Sequence, residues 1–94
     1  MPRALFADTV IAESDDTVII EGNHYFPAEA LKREYVEPSG NTSVCPWKGT
    51  AAYLDVVVGE QRAAASAWYY PDPKPDAEHF RDYVAFWGDV RVEA

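Results

Sequence analysis

Apolar and polar side chains alternate along much of this chain, which is the pattern of short, half-buried β-strands. The clearest run is Thr50 to Val58, where β-branched and aromatic residues dominate. Gly59-Glu60 then supplies a turn, and Gln61 to Tyr70 is expected to return as the hairpin partner of that strand. The middle of the chain is therefore predicted to be a long β-hairpin.

The first third of the chain predicts a second hairpin. Ala4 to Ala12 reads as one strand, Ser14 to Asp16 as a polar turn, and Thr17 to Glu21 as the partner strand. Pro27 suits the first position of a short helical turn, because its missing N–H has no partner there in any case. Arg33 to Glu37 is expected to form a third strand, ended by the polar and proline-containing residues that follow.

The last third begins with three prolines between Pro71 and Pro75, which cannot donate to a β-ladder and predict an irregular connection. Phe80, Tyr83 and Val84 then follow at helical spacing, so Ala77 to Tyr83 is expected to be a short amphipathic helix. Two late strands are expected around Ala85 to Trp87 and Val90 to Val92.

Together these elements predict a mainly β fold of six or seven short antiparallel strands, arranged as two sheets or a partly open barrel, with one short C-terminal helix. The length of 94 residues predicts a single domain spanning residues 1–94. Aromatic residues make up 14% of the chain, and their flat rings suit the pleated surface of a sheet.

The excess of acidic over basic side chains argues against negatively charged partners. The chain has 16 acidic and 8 basic side chains, giving a formal net charge of −8. Such a surface repels phosphate backbones and anionic lipid, so we expect no nucleic acid and no membrane as a partner. Scattered acidic residues and the absence of a ligand-spacing motif also predict no metal and no cofactor.

The single cysteine, Cys45, cannot form an internal disulfide, although small secreted domains usually need such cross-links. The segment Met1 to Ala12 has an apolar run that Asp8 interrupts, unlike the apolar core of a signal peptide. A cytoplasmic location is therefore expected. The oligomeric state is expected to be a monomer or a homodimer.

Two aromatic segments hold the candidate chemistry. Cys45-Pro46-Trp47-Lys48-Gly49 contains the only cysteine and an isolated lysine, and Trp68 to Pro73 is the densest aromatic run of the chain. Both lie where loops meet predicted strands, so both are expected to face one shared pocket. Lys48 is expected to hold an anionic or carbonyl group of a ligand, or to make a cation–π contact with Trp68 or Tyr70. The alternative is that Lys48 forms a salt bridge to Asp55 or Asp72, or lies solvated at the tip of its loop.

Several stretches of this sequence resemble the domain of unknown function 427 family. The stretches occur in the order of the family and cover nearly the whole chain, and Thr42 to Gly49 with its Cys-Pro-Trp-Lys-Gly piece is the most specific. The others are Glu21 to Pro27, Ala67 to Pro71 and Val84 to Phe86. The resemblance implies a tent-like domain of two antiparallel sheets with a small helix and no settled activity.

The nucleotidyltransferase label attached to that family finds no support in the motifs of this chain. Metal-dependent nucleotidyl transfer needs clustered carboxylates, whereas Asp15-Asp16 belongs to a predicted turn. Lys48-Gly49 also has the reverse order of the glycine–lysine pair of a phosphate-binding loop. Related tent-shaped folds carry zinc on paired cysteines, which one cysteine cannot supply.

The leading hypothesis is a small binding domain with an aromatic pocket near the Cys45–Gly49 loop. Aromatic walls with one charge and a few hydroxyl groups suit a flat or cationic small molecule. The alternative for the aromatic residues is that they close the core of the protein. The candidate ligand-binding residues are Tyr25, Cys45, Trp47, Lys48, Tyr53, Trp68 and Tyr70.

Two other functions stay open at this point. An enzyme would use Cys45 or Lys48 as its reacting group and His24 as a base, although a buried, inert Cys45 is the simpler interpretation. No catalytic residue is assigned, and no spacing supports a metal site made of Cys45, His24 and His79. A structural or interaction module would dimerise through an exposed strand edge.

Overall fold

The computed structural model describes residues 1–94 and consists mostly of β-strands. Nine strands are joined by turns and by three short 3₁₀ helices, at Ala28–Ala30, Arg33–Tyr35 and Pro75–Phe80. The strands are β1 (Arg3–Phe6), β2 (Thr9–Glu13), β3 (Val18–Ile20), β4 (Asn23–Tyr25), β5 (Val36–Cys45), β6 (Gly49–Val58), β7 (Gln61–Tyr69), β8 (Val84–Phe86) and β9 (Arg91–Glu93).

The strands form three antiparallel sheets, which confirms the mainly β prediction but gives three sheets where two were expected. The largest sheet has the order β5-β6-β7-β8, the second has the order β2-β1-β9, and β3 pairs only with β4. No sheet closes into a barrel. The additional sheet arises because two tight turns near the N-terminus divide what was predicted to be a single hairpin.

The first of these turns splits the predicted strand Ala4 to Ala12, so that prediction is wrong. Ala7 and Asp8 have φ values of 51° and 59°, and Phe6 pairs with Thr9 across them. Two successive residues with positive φ are the geometry of a type I′ turn, whose twist matches that of the flanking strands. The sequence hides this turn because it contains no glycine.

The second turn corrects the predicted partner of the segment Thr17 to Glu21. Its core, β3, pairs with β4 and not with the first strand, and Ile20 lies opposite Asn23. Glu21 and Gly22 form the turn, with φ values of 53° and 83°. Glutamate rarely adopts this left-handed conformation, so Glu21 occupies its place at some cost in backbone energy.

The predicted hairpin of Thr50 to Val58 and Gln61 to Tyr70 is confirmed as β6 and β7. The expected end of the third strand at Pro38 is wrong, because β5 continues to Cys45. A shift of register between Pro38 and Thr42 absorbs the irregular residues, with Gly40 at a φ of 84°. Proline is tolerated there because β5 is an edge strand. Arg33–Tyr35, expected to be strand, is a 3₁₀ turn.

The predicted helix at Ala77 to Tyr83 is a 3₁₀ helix at Pro75–Phe80. It buries Ala77 and Phe80, whose spacing of three residues fits a 3₁₀ helix as well as an α-helix. Asp82, with a φ of 62°, ends the helical path before β8. The two late strands are confirmed as β8 and β9. No helix in the structure is long and apolar enough to cross a membrane.

Two buried clusters hold the sheets together. A mainly aliphatic cluster of twelve buried residues, which includes Ile11, Leu54 and Phe26, is called the aliphatic core here. A smaller aromatic cluster contains Tyr25 and Phe80, both fully buried, together with four other buried residues. The small β3–β4 sheet joins the large sheet where the backbones of Phe26 and Val84 exchange two hydrogen bonds of 2.8 Å.

Phe26→Ala is expected to lower the free energy of unfolding by about 3–5 kcal/mol, as is usual for truncating a buried phenylalanine. The Phe26 side chain is fully buried and packs edge-on against Phe86. Denaturant unfolding measures the change, and Ile19→Ala, at a residue that is 62% exposed, is the matched control. A loss for Phe26→Ala no larger than that of the control contradicts this packing.

Candidate functional site

The loop at Cys45–Gly49 and the segment after Tyr70, which were predicted to face one shared pocket, lie directly against each other. The backbone N–H of Lys74 donates to the carbonyl of Lys48 at 3.0 Å, and its Nζ donates to the carbonyl of Pro46 at 2.6 Å. Gly49 has a φ of 112°, and a β-carbon there would lie 3.3 Å from the backbone oxygen of Asp72. The positive φ, together with this close approach, favours glycine at this position.

Lys48 is buried between these segments, with 6% of the residue exposed. Its Nζ donates a hydrogen bond to Oε1 of Glu21, in the turn between β3 and β4. The ammonium also lies 5.5 Å from the ring centroids of both Trp47 and Tyr70, within the range of a cation–π interaction. The predicted cation–π contact with Tyr70 is confirmed, and Trp47 takes the place proposed for Trp68.

The predicted alternative of a salt bridge from Lys48 to Asp55 or Asp72 is wrong. Asp55 accepts a hydrogen bond of 2.6 Å from Arg62, and Asp72 lies 3.9 Å from Arg81. The partner of Lys48 is Glu21, which the sequence did not indicate because 27 residues separate the two. The isolated lysine in an apolar segment did indicate that Lys48 has some acidic partner, because a buried ammonium needs a carboxylate.

Both members of this ion pair have shifted pKa values. Burial disfavours the Lys48 ammonium, but the hydrogen bond to Glu21 and the negative charge of Glu21 and of ionised Tyr25 and Tyr70 outweigh it, so the pKa of Lys48 is raised. The hydrogen bond and charge of Lys48 lower the pKa of Glu21. Burial raises the pKa of Tyr70, although the nearby ammonium opposes that shift. At neutral pH the pair is therefore ionised.

Phe80 lies at the centre of the aromatic cluster beside Lys48. Its ring centroid is 5.2 Å from that of Tyr25 and 6.1 Å from those of Trp47 and Tyr70. The His79 ring stands perpendicular to it at 4.9 Å. Tilted and edge-on rings at these distances attract each other. The sequence marked Phe80 only as the apolar face of a helix and missed its central position.

A chain of contacts leads from this cluster to the surface of the large sheet. Trp68 donates its indole N–H to the hydroxyl of Tyr25 at 3.1 Å. Trp68 also lies directly opposite Tyr53 in the β6–β7 ladder, with ring centroids 6.3 Å apart. The Tyr53 hydroxyl and that of Ser43 share a hydrogen bond of 3.0 Å. The aromatic cluster and the exposed sheet face are thus linked through four side chains.

An open groove lies at the end of this chain of contacts, and we call it the aromatic groove. It consists of two adjoining hollows of about 490 and 390 Å³ that share Tyr53 and Trp87. The remaining lining residues are Asn23, Gly40, Asn41, Thr42, Ser43, Ala65 and Trp68. The groove therefore combines three aromatic rings with side chains that carry no charge.

Trp87 is 57% exposed, yet its position is fixed. Its indole N–H donates to the carbonyl of Ala65 at 2.8 Å, and its backbone N–H donates to Ser66 at 2.9 Å. Ala65 is itself held in a left-handed conformation, with its N–H bonded to Asp55 at 2.7 Å. The sequence placed Trp87 only in a late strand, at Ala85 to Trp87, and missed its position in the groove.

The seven predicted ligand-binding residues divide into four groups. Tyr53 and Trp68 line the aromatic groove, whereas Trp47 is 39% exposed beside a separate shallow hollow on the loop. Cys45 is half-buried against the aromatic cluster. The buried group consists of Tyr25, Lys48 and Tyr70. The structure therefore brings the seven residues into one neighbourhood but exposes only part of them at a groove.

The histidines proposed as a base or metal ligands lie in ordinary structural contacts. Nδ1 of His24 shares a hydrogen bond of 2.9 Å with the hydroxyl of Thr17, and His79 packs on Phe80. No group of three or more histidine, cysteine, aspartate or glutamate side chains lies close enough to hold a metal ion.

Removing Glu21 is expected to destabilise the fold more than removing Lys48. Glu21→Gln leaves a buried ammonium without its carboxylate, whereas Lys48→Met removes the buried charge and keeps an apolar chain of similar length. The carboxylate left by Lys48→Met is 56% exposed and stays hydrated. Melting temperatures at pH 7 test this order, and a lower melting temperature for Lys48→Met contradicts it.

The Lys48–Glu21 ion pair makes the stability of the fold depend on pH, in a direction that follows from the two pKa shifts. Folding lowers the pKa of Glu21 below its ordinary 4.5, so the stabilisation is present above pH 4.5 and is lost as pH falls through the lowered pKa. Folding raises the pKa of Lys48 above 10.5, so its part is present below pH 10.5 and is lost at higher pH. The difference between wild type and Glu21→Gln should therefore shrink in acid.

Comparison with known proteins gives one family. A model described as Domain of unknown function (DUF427), with the short name NTP_transf_9, matches residues 2–94. No curated protein matches the chain. The match spans the Cys45–Gly49 loop, all three sheets and the aromatic groove, and it confirms the resemblance seen in the sequence. The chain belongs to the DUF427 family.

Proposed function

We propose that this protein binds a small, flat ligand, uncharged or cationic, in the aromatic groove. The observation that carries the proposal is the set of three rings, Tyr53, Trp68 and Trp87, lining a groove that no other part of the chain fills. Its hollows of about 390 and 490 Å³ fall within the range of small-molecule sites. Aromatic walls with a few polar groups are typical of such sites.

The rings are positioned before a ligand arrives. The indole N–H of Trp68 is bonded to Tyr25 and that of Trp87 to Ala65, so neither ring depends on a ligand for its orientation. The hydroxyl of Tyr53 is likewise bonded to Ser43. A site with fixed side chains loses little conformational entropy on binding, which favours affinity for a small ligand. The ring faces are then the surfaces available for stacking.

The charges around the groove favour a neutral or cationic ligand over an anion. All of its lining side chains are uncharged, and the formal net charge of the chain is −8. Lys48, the cation expected to hold an anionic group, is buried and bonded to Glu21. Aromatic faces attract cations, most strongly those of tryptophan. A flat heterocycle or a quaternary ammonium suits this surface.

The polar side chains of the groove provide the means to orient a ligand. Asn23 and Asn41 each offer an amide with donors and an acceptor, and Thr42 adds a hydroxyl group. These groups lie beside the rings, so one ligand can stack and form hydrogen bonds together. We place this role in the cytoplasm, since the single cysteine allows no internal disulfide.

Titration with adenosine and with choline, followed by two-dimensional ¹H–¹⁵N NMR, tests the proposal. The chain has three tryptophans, and each gives one indole N–H signal. A probe that enters the groove should shift the signals of Trp68 and Trp87 in a saturable way and leave that of Trp47 in place. Saturation with at least one of the two probes is the expected result.

Trp87→Ala is expected to weaken binding of that probe at least tenfold, which corresponds to about 1.4 kcal/mol. Its ring is exposed, so the melting temperature should change little. Trp47→Phe, outside the groove, is the matched control and should bind as the wild type does. Shifts confined to Trp47, or none with either probe, would contradict a ligand site in the aromatic groove.

A further inference from the structure

A second hollow shares no residue with the aromatic groove. It has a volume of about 230 Å³ and lies where the first 3₁₀ turns meet the large sheet. Its lining residues are Ala28, Leu31, Arg33, Leu54, Tyr69, Asp82 and Val84. We call it the charged-rim pocket, because an arginine and an aspartate lie among apolar residues. Its size suits a molecule smaller than most ligands of protein pockets.

Arg33 stands apart from the other arginines of the chain. Arg3, Arg62, Arg81 and Arg91 each have a carboxylate oxygen within 4.0 Å. Arg33 has no such partner and donates no side-chain hydrogen bond, although acidic residues outnumber basic ones 16 to 8. Its guanidinium is therefore available to an anionic group, for which its paired N–H donors are well shaped.

Asp82 supplies the opposite charge in the same pocket. Its backbone is in the left-handed region, with a φ of 62°, and its N–H donates to the carbonyl of Tyr70 at 3.1 Å. Aspartate tolerates this conformation better than most residues, so the position is fixed without a glycine. The carboxylate of Asp82 forms no ion pair, with Arg33 or with any other cation.

The rest of the pocket is apolar. Leu31, Leu54 and Val84 are only 6%, 7% and 2% exposed, and they belong to the aliphatic core. These residues therefore form a rigid, close-packed apolar wall that exposes only a small surface to the pocket. A ligand that covered this wall would gain from removing apolar surface from water. An apolar group is therefore favoured between the two charged side chains.

We propose that the charged-rim pocket binds a small α-amino acid with an apolar side chain. The carboxylate of the ligand pairs with Arg33, its ammonium pairs with Asp82, and its side chain covers Leu31, Leu54 and Val84. A simple anion is repelled by Asp82 and a simple cation by Arg33, so a zwitterion satisfies both charges together. This binding is independent of the aromatic groove, since the two sites have no residue in common.

Titration of ¹⁵N-labelled protein with L-leucine, L-leucinamide and 4-methylpentanoate tests the proposal. The three probes share one branched side chain, and the last two each lack one of the two ligand charges. L-leucine should shift the amide signals around Arg33 and Asp82 in a saturable way. Each of the other two probes should bind at least tenfold more weakly.

Two variants remove the charges of the pocket one at a time and leave the backbone undisturbed. Arg33→Gln and Asp82→Asn should each weaken binding of L-leucine at least tenfold, and asparagine keeps the left-handed conformation that Asp82 adopts. Arg91→Gln, at an exposed arginine outside the pocket, is the matched control and should bind as the wild type does. Unchanged melting temperatures show that the variants are folded.

Three results would overturn the proposal: no saturable shift with L-leucine, binding of L-leucinamide or 4-methylpentanoate as tight as that of L-leucine, or unchanged binding of L-leucine by both pocket variants. None of these results bears on the aromatic groove, because the indole signals of Trp68 and Trp87 report on that groove separately.

Discussion

The buried ammonium of Lys48 is the constraint around which this structure is arranged. A charge that is removed from water must be paired, and here one exposed carboxylate and two aromatic faces do so. Those partners come from three separate parts of the chain: the β3–β4 turn, the Cys45–Gly49 loop and the segment at the end of β7. The pair thereby joins segments that share little other secondary structure, and Glu21 is held in a backbone conformation that glutamate rarely adopts.

The Cys45–Gly49 loop and the aromatic groove are separate parts of this structure. The loop that holds the only cysteine and the isolated lysine is packed against Phe80 and against the backbone of residues 72–74. From there, hydrogen bonds and ring contacts pass through Tyr25 to Trp68 and Tyr53, at the surface of the large sheet. The loop is thus best understood as the support of the aromatic groove, which is where we propose that the ligand binds.

Alternation and turn residues were sufficient to predict a mainly β fold, and they identified the β6–β7 hairpin because its turn contains Gly59. They failed at Ala7-Asp8, where no glycine marks the left-handed turn, and at Glu21, which adopts a positive φ beside Gly22. Local spacing also failed for the site, because it cannot show that Glu21 reaches Lys48 or that Trp87 and Tyr53 line the same groove. Those contacts depend on how the three sheets pack, which the order of residues along one strand does not specify.

The most direct test of this account is the pKa of Lys48, measured by following its side-chain Nζ and Cε signals by NMR as pH is raised. If the Glu21 carboxylate and the aromatic faces outweigh burial, Lys48 should stay protonated above pH 10.5, the ordinary value for a lysine. Glu21→Gln should then bring the pKa down. A Lys48 that loses its proton below pH 10.5 in the wild type would contradict the account, because burial would then outweigh the ion pair.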